Sequence, residues 1–373
     1  MSAARVGPVG VGVVGCGVIS RVYQKVAAEF AGFEVVACSD IDPAAAKAFA
    51  DADPSGRTRA LTFEELLDDP KVEVVLNLTV PSAHAALTRA ALGAGKAVYG
   101  EKPLATTRDD GAELVRLAKD QGLALGCAPD TFLGAGLQTC RLALDEGLIG
   151  EPVAAVACVG RHGPEEWHPN PAFFYEPGAG PLFDLGPYYL TATVALLGPI
   201  ASVSGIAPIS TPERLVRAGA RAGEVLKVTT PTHVTGTLEL VSGVPVTLLT
   251  SFDVWADHLP KFEIYGTEGT LSVPDPNTFG GPVEVWDAAD RHWRSLELVS
   301  AYSENSRGLG LADLVSARST GRTPRASGAL SFHVLDVMAA LLQAGEERRV
   351  VRVESSVERP EPLPRGLARG EID

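Results

Sequence analysis

The feature that most constrains the fold is a run of β-branched residues that ends in closely spaced glycines and leads directly into a helical pattern. The segment VGVVGCGVIS occupies residues 11–20, and its second part fits the spacing G-x-G-x-x-[GAS]. Gly15 permits a tight turn, Gly17 lets a ligand approach the backbone, and the small Ser20 permits close packing of helix on strand. The positive end of such a helix attracts phosphate. The segment therefore predicts a phosphate-binding turn.

The rest of the first third alternates short apolar runs with helical patterns. Asp42 and Pro43 are typical of a helix start, and Thr62 and Glu65 have the spacing of a capping box. Near-continuous apolar strands separated by helices predict βαβ units and a parallel sheet covered on both faces. The predicted strands are 11–17, 33–40, 72–80, 97–103 and 123–129, and the predicted helices are 18–31, 42–52, 62–69, 82–95 and 107–121.

Asp40 ends the second predicted strand, about 20 residues after the glycine turn, where an acid accepts hydrogen bonds from an adenosine ribose. The turn and this acid together predict a dinucleotide-binding site. A carboxylate would repel a 2′-phosphate, and the neighbouring Ile41 offers no cation, so we expect NAD, with NADP as the alternative. Asp40 could instead only cap the turn before Pro43.

The pattern changes after about residue 129, which predicts a second domain. Alternating strands between 200 and 300 predict a sheet with one solvated or partner-covered face. A large sheet of this kind predicts a homo-dimer or homo-tetramer through it. The other predicted elements are a helix at 132–147, a strand at 151–161, an irregular aromatic stretch at 162–181, and helices at 184–197 and 331–348.

Charge and cysteine usage exclude several classes of partner. The formal net charge of −14 argues against nucleic acid and anionic membranes, because both favour clustered Lys and Arg. No stretch approaches the roughly 18 apolar residues that span a bilayer, and the first residues lack a secretory signal pattern. Five scattered cysteines without a CxxC pair favour buried reduced thiols over a metal site. We expect a cytoplasmic protein without bound metal.

A lysine follows the fourth predicted strand. The segment GEKPLA at 100–105 places Glu101 and Lys102 at the carboxyl end of a parallel strand, where ligands bind in open α/β sheets. An ammonium at this position can favour deprotonation of a neighbouring proton donor and polarise a substrate oxygen. The alternative is an ordinary solvated lysine.

These motifs, in this order, resemble the Gfo/Idh/MocA family of NAD(P)-dependent oxidoreductases over nearly the whole chain. The segments that carry the resemblance are GVVGCGVIS, NLTVPSAH at 77–84, GEKPLA at 100–105 and GPLFDLGPYY at 180–189. The resemblance implies an α/β Rossmann domain followed by an α+β domain with a large, mostly antiparallel open sheet. We place these domains at 1–129 and 130–355, with a surface tail at 356–373.

The resemblance also implies roles for individual residues. Lys102 matches the family's catalytic-site lysine, and Asp184 matches the first aspartate of its D-x-G-x-H-x-x-D motif, which contacts substrate. The implied cofactor-binding residues are Gly15, Gly17, Val18, Ile19, Asp40, Ile41, Thr79, Pro81, His84, Glu101, Lys102 and Asp130. Asp130 stands where the family often has asparagine.

The chain departs from the family motif at two positions. Tyr188 occupies the histidine position and Thr191 that of the last aspartate. Some branches of the family, similar to glucose–fructose oxidoreductase, use a tyrosine there as the proton relay. A nearby Lys102 ammonium would stabilise its phenolate. Tyr188 and Tyr189 could instead pack at the start of an apolar helix.

The aromatic stretch supplies candidate substrate contacts. Arg161, Trp167 and His168 combine rings with hydrogen-bonding groups, which suits a sugar or polyol; packing is the alternative for each. We therefore expect hydride transfer between a secondary alcohol of a sugar, sugar derivative or cyclitol and the nicotinamide. Two alternatives stay open: an enzyme that retains its cofactor and oxidises transiently for elimination or epimerisation of a glycoside, and a non-catalytic dinucleotide-binding regulator.

Overall fold

The computed structural model describes residues 7–373, and the chain divides into two compact units. The first unit comprises Met1–Leu133, Ser300–Phe332 and Leu363–Asp373, and the second comprises Gly134–Val299 and His333–Pro362. Residues 1–6 of the predicted first domain lie outside the described residues.

The predicted contiguous division differs from this arrangement, because two C-terminal segments return to the first unit. The backbone N–H of Cys127 donates to the carbonyl of Ala326 (3.1 Å), which attaches the first of these segments beside the parallel sheet. Arg369 pairs with Glu29 at 2.9 Å and fixes the second. Much of the predicted surface tail therefore belongs to the first unit.

The elements are numbered in chain order. The strands are β1 (Val9–Val14), β2 (Phe33–Ser39), β3 (Arg59–Ala60), β4 (Val74–Asn77), β5 (Ala97–Gly100), β6 (Leu125–Cys127), β7 (Pro152–Gly160), β8 (Ile200–Ile206), β9 (Glu213–Leu215), β10 (Val225–Lys227), β11 (His233–Leu240), β12 (Pro245–Ser251), β13 (Phe262–Gly266), β14 (Gly269–Val273), β15 (Glu284–Asp287), β16 (His292–Ser295) and β17 (Val351–Arg352). The helices are α1 (Val18–Ala27), α2 (Pro43–Asp51), α3 (Phe63–Asp68), α4 (Pro81–Gly93), α5 (Arg108–Asp120), α6 (Ala135–Asp145), α7 (Gly180–Asp184), α8 (Gly186–Leu197), α9 (Leu309–Thr320) and α10 (Gly328–Glu347).

Six parallel strands form the sheet of the first unit, in the order β3-β2-β1-β4-β5-β6. In this doubly wound order the winding reverses between β1 and β4, and ligands bind beyond the carboxyl ends of the strands at that point. Asp42 caps α2 by accepting from Ala44 N (2.9 Å), and Thr62 and Glu65 form the capping box of α3. The predicted Rossmann fold and both predicted helix starts are confirmed.

Helix α9 is not predicted by the sequence, because every residue from Leu309 to Val315 is buried and the helix therefore lacks an amphipathic pattern. A distant acid caps its first turn. Asp130 Oδ2 accepts hydrogen bonds from the backbone N–H groups of Gly308 (2.8 Å) and Gly310 (3.0 Å). The cap helps to attach α9 to the end of the parallel sheet.

Burial raises the pKa of Asp130 from 3.8 to about 6, although the two backbone hydrogen bonds oppose the shift. Between these values the folded state holds a proton that the unfolded state releases, so this group's contribution to stability falls as pH rises from about 4 to 6. We expect Asp130→Asn, whose amide oxygen keeps both acceptor contacts, to lack this pH dependence. From pH 4 to 6 the free energy of unfolding of the wild type should fall by up to about 3 kcal/mol more than that of the variant. Urea unfolding of both proteins at several pH values measures it; parallel pH profiles would contradict the assignment.

Nine strands form the sheet of the second unit, in the order β16-β15-β14-β13-β7-β12-β11-β8-β17. Every neighbouring pair is antiparallel except β7 and β12. Along β12, Val246 and Leu248 are buried whereas Thr247 is exposed, which gives the alternation predicted for this region. The predicted large, mostly antiparallel sheet is confirmed, and self-association through it stays a prediction.

Helix α10 is long and apolar enough to cross a membrane by length and composition, so the expectation that no segment approaches this limit was too strict. However, 67% of its most apolar stretch is buried inside the protein. His333 Nε2 accepts from Ile200 N (3.0 Å), and Asp336 Oδ2 accepts from Ser355 N (2.7 Å). Burial and these contacts are typical of a core helix. Within residues 7–373 the five cysteines are buried and none forms a disulfide, as predicted.

Candidate functional site

The glycine turn closes the carboxyl end of β1. Gly15 has φ +94°, and a Cβ there would lie 2.7 Å from the carbonyl carbon of Leu78, so the position requires glycine. A Cβ on Gly17 would meet nothing within 4 Å, which leaves the space before α1 open. The first N–H groups of a helix have no partner within the helix. Helix α1 has no side-chain cap at Gly17, so its start presents backbone N–H groups and the positive end of the helix to an anion.

Asp40 lies directly after β2 and supports this turn. Its Oδ2 accepts from Cys16 N (2.7 Å), and its Oδ1 accepts from Asp42 N (2.9 Å). The side chain therefore does more than cap the turn before Pro43, because it also holds the backbone of the glycine turn. Its hydrogen bonds to a ribose stay a prediction.

Apolar side chains are exposed at the same edge of the sheet. Val18 is 93% exposed and Val80 60%, and Ile41 is fully exposed, whereas Ile19 is half-buried. Exposed branched side chains next to backbone donors fit a ligand with both apolar rings and phosphates, so these residues fit a dinucleotide.

The loop after β4 is joined to the loop after β5 by one buried histidine. The His84 ring nitrogens lie 2.7 Å from the carbonyl oxygen of Pro103 and 2.9 Å from that of Thr79. The Thr79 hydroxyl donates to Asn77 Oδ1 at 2.7 Å, and Pro81 begins α4. His84 therefore positions both loops from behind, and its direct contact with a cofactor stays a prediction.

Lys102 lies two residues beyond β5, at the edge that carries the glycine turn. The preceding residue, Glu101, is fixed: its backbone N–H donates to Asn77 O (2.8 Å) and its Oε1 accepts from the Tyr23 hydroxyl (3.0 Å). Lys102 is half-buried and its own backbone N–H donates to Glu101 Oε2 at 3.1 Å. The structure thus brings Lys102 and Glu101 to the sheet edge expected for them, whereas Asp130 is buried beneath it as the cap of α9.

In the second unit the structure pairs two predicted substrate contacts. Arg161 Nη2 lies 2.9 Å from Asp184 Oδ2, which joins the end of β7 to the end of α7. Tyr188 follows in the first turn of α8 and is half-buried. Its neighbour Tyr189 is buried, and its hydroxyl donates to Asp275 Oδ1 at 3.0 Å. Of the two tyrosines, Tyr189 therefore has the packing role and Tyr188 is the candidate for chemistry.

The aromatic stretch forms a cluster of rings. His168 packs edge-on against Trp167 (5.3 Å between centroids), Phe173 (5.6 Å) and Phe174 (5.3 Å). Trp167 is 58% exposed, whereas His168 is half-buried and its Nδ1 accepts from Asn170 N at 3.1 Å. Trp167 is therefore the more accessible of the two, and substrate binding by either stays a prediction.

One group of side chains in the second unit has the composition of a metal site. Ligand atoms of His162, Glu165 and Glu166 lie within 4.8 Å of one another. However, Arg214 lies 3.2 Å from Glu165 Oε1, and Arg217 lies 2.9 Å from Glu166 Oε1. Because both carboxylates already face a guanidinium, the group is an ion-pair network rather than a good cation site.

Sequence reasoning missed two residues that organise this edge. Asn77 is buried and holds Thr79, the His84 carbonyl (3.2 Å) and Thr88 (3.2 Å). The sequence signal for Asn77 was its position, as a single amide side chain at the end of an apolar strand. Tyr23 gave no signal, because its link to Glu101 spans 78 positions in the sequence.

Two family models match the chain. Residues 9–128 match the model described as an oxidoreductase family with an NAD-binding Rossmann fold, and residues 137–272 match the GFO/IDH/MocA C-terminal domain. The chain belongs to the Gfo/Idh/MocA family of oxidoreductases. The resemblance inferred from the sequence motifs is confirmed, and the first unit of this family member contains an NAD-binding Rossmann domain.

Members of the family with known names share parts of the chain. The 1,5-anhydro-D-fructose reductase of Ensifer adhaerens is 35% identical over 39% of this chain and 43% of its own length. The inositol 2-dehydrogenase/D-chiro-inositol 3-dehydrogenase of Shouchella clausii is 33% identical over 42% of this chain and 44% of its own length. The match thus spans less than half of either relative.

Solved structures share the fold over nearly the whole chain. Levoglucosan dehydrogenase in complex with NADH and L-sorbose superimposes with a TM-score of 0.81 at 19% identity, covering 94% of this chain and 100% of that one. At this identity the likeness concerns the fold alone.

Proposed function

We propose that this Gfo/Idh/MocA protein is an NAD-dependent dehydrogenase or reductase that transfers hydride between a secondary alcohol of a sugar, sugar derivative or cyclitol and the nicotinamide. The observation that carries the proposal is the fixed Glu101–Lys102 segment at the carboxyl edge of an NAD-binding sheet. The two relatives described above, a 1,5-anhydro-D-fructose reductase and an inositol dehydrogenase, support the substrate class.

The cofactor would be held at the carboxyl edge of the parallel sheet. The N–H groups at the start of α1 would bind the pyrophosphate, and Asp40 would accept hydrogen bonds from the adenosine ribose. When bound, NAD supplies the acceptor or donor of hydride, which no side chain provides.

The protein side chains would handle the proton and the orientation of the substrate. In the oxidation direction the phenolate of Tyr188 takes the proton from the substrate hydroxyl and becomes a phenol, and in the reduction direction the phenol returns it. Lys102 stabilises the phenolate form or the substrate oxygen. Asp184 accepts a hydrogen bond from a substrate hydroxyl, and Arg161 holds that carboxylate at 2.9 Å. Trp167 and His168 contact the ring of the substrate.

The test is absorbance at 340 nm for purified protein supplied with NAD or NADP and a panel of sugars, sugar acids and inositols. We expect growth of the signal with NAD and one substrate class. No signal, with cofactor released only on denaturation, would favour an enzyme that retains its cofactor. No signal and no cofactor binding would contradict the proposal.

The same assay tests the role of Asp40. We expect Asp40→Ser to raise the ratio of kcat/KM with NADP to that with NAD by about tenfold, because one carboxylate no longer repels the 2′-phosphate. Asp51→Asn, which removes one exposed charge at the far end of α2, is the matched control and should leave the ratio unchanged. An equal ratio in wild type and Asp40→Ser would remove Asp40 from cofactor selection.

A further inference from the structure

The carboxylate of Glu101 is held at both oxygens. Oε1 accepts from the Tyr23 hydroxyl at 3.0 Å, and Oε2 accepts from the backbone N–H of Lys102 at 3.1 Å. The backbone of Glu101 is also fixed, since its N–H donates to Asn77 O at 2.8 Å. The orientation of the segment that carries Lys102 therefore depends on the donor at Oε1.

That donor comes from the helix that begins at the glycine turn. Tyr23 lies in the second turn of α1 and is only 2% exposed. Burial, followed by the charge of Glu101, raises the pKa of Tyr23 well above its usual value. The phenol therefore keeps its proton and acts as a donor at every working pH.

We propose that Tyr23 is a positioning residue, which sets the orientation of Lys102 through Glu101 and links the phosphate-binding helix to the catalytic segment. The catalytic part rests on the proposed role of Lys102. Without the Tyr23 hydroxyl, the half-buried carboxylate of Glu101 would lack a donor at Oε1 and would be stabilised by another donor or by a positive charge. The ammonium of the adjacent Lys102 is the nearest such group along the chain.

Tyr23→Phe removes only the hydroxyl oxygen and keeps the buried ring. The released carboxylate then competes for the Lys102 ammonium and draws it away from its working position. We expect kcat to fall by about tenfold, the effect of losing a hydrogen bond to a charged group. The dissociation constant of NAD should change by a smaller factor than kcat, because the glycine turn and Asp40 are untouched.

The matched control is Tyr302→Phe. Tyr302 is also fully buried in the first unit and donates its hydroxyl to the carbonyl of Glu371 at 2.6 Å. This substitution removes the same atom and a comparable hydrogen bond, but at a site remote in sequence from Glu101 and Lys102. A loss of kcat common to both variants would reflect general destabilisation and would overturn the proposal.

A readout that does not need activity is the rate at which acetic anhydride modifies Lys102 in the full chain, measured by peptide mass spectrometry against exposed Lys47. Each further carboxylate that pairs with an amine protects it more, so Tyr23→Phe, which brings the Glu101 carboxylate to Lys102, should slow the modification of Lys102 by about threefold. General loosening of the structure would instead accelerate it. Adding Glu101→Gln to Tyr23→Phe removes the competing charge and should restore the rate to that of Glu101→Gln alone.

The two hypotheses fail in different ways. If Lys102→Met kept full activity, the proposed function would fail, and the modification rates would still test the link between Tyr23 and Lys102. If Lys102→Met were inactive but Tyr23→Phe kept wild-type kcat and wild-type modification of Lys102, the positioning role of Tyr23 would be wrong.

Discussion

Replacing Tyr188 with phenylalanine is expected to lower kcat by about 10²- to 10⁴-fold, because the variant loses the group that transfers the proton. The ring and its half-buried position in the first turn of α8 are retained. NAD binding should therefore stay at the wild-type level, since the cofactor residues lie in the first unit. Steady-state kinetics with the best substrate of the panel, together with a titration of NAD, measure both quantities.

The neighbouring tyrosine provides the matched control. Tyr189→Phe loses a hydrogen bond to Asp275, so we expect a loss of stability of about 1 kcal/mol with kcat near wild type. Lys102→Met should behave like Tyr188→Phe. Near-full activity in both Tyr188→Phe and Lys102→Met, with NAD bound, would refute the proposed relay.

The second large effect concerns stability. Asp313 in α9 is fully buried and faces two arginines: its Oδ1 lies 2.6 Å from Arg325 Nη1 and 2.7 Å from Arg322 Nη2. Its Oδ2 also accepts from the backbone N–H of Arg325 at 2.6 Å. Asp313→Ala removes a carboxylate from the buried guanidinium of Arg325, which keeps its ion pair with Asp373 at 2.8 Å. We expect the free energy of unfolding to fall by about 3–5 kcal/mol, the usual cost of breaking a buried ion pair.

Chemical denaturation measures this loss, with an exposed ion pair as the control. Lys47 and Asp51 in α2 form such a pair, with side chains 71% and 63% exposed. Lys47→Ala should change the free energy of unfolding by no more than about 0.5 kcal/mol. Similar effects of Asp313→Ala and Lys47→Ala would mean that the buried network contributes no more than a surface pair.

The sequence predicted five of the six parallel strands because each of these five carries a local signal, whereas the short, exposed edge strand β3 carries none. Apolar strands, the caps at Asp42 and Thr62, and the glycine turn all depend on residues close together in the chain. Helix α9 was missed because burial of every residue from Leu309 to Val315 removes the amphipathic pattern. The return of residues 300–332 and 363–373 to the first unit depends on distant partners such as Glu29, which no local pattern reveals.

The candidate site shows the same limit. Lys102 and Asp184 could be named from motifs, because their spacing from glycines and prolines is distinctive. The residues that hold them in place could not be named from the sequence. The pairing of Arg161 with Asp184 and the hydrogen bond from Tyr23 to Glu101 join residues far apart in sequence. Asp130 was assigned to the cofactor by resemblance, whereas the structure shows it capping α9.

The most direct test of the central claim is transfer of deuterium from carbon. The best substrate of the panel is labelled at its secondary alcohol carbon and incubated with the protein and NAD, and the nicotinamide product is analysed by mass spectrometry. Hydride transfer predicts NADH that carries one deuterium per turnover and a slower rate than with unlabelled substrate. Formation of product with unlabelled NADH, or with no transfer of deuterium to the cofactor, would contradict the account.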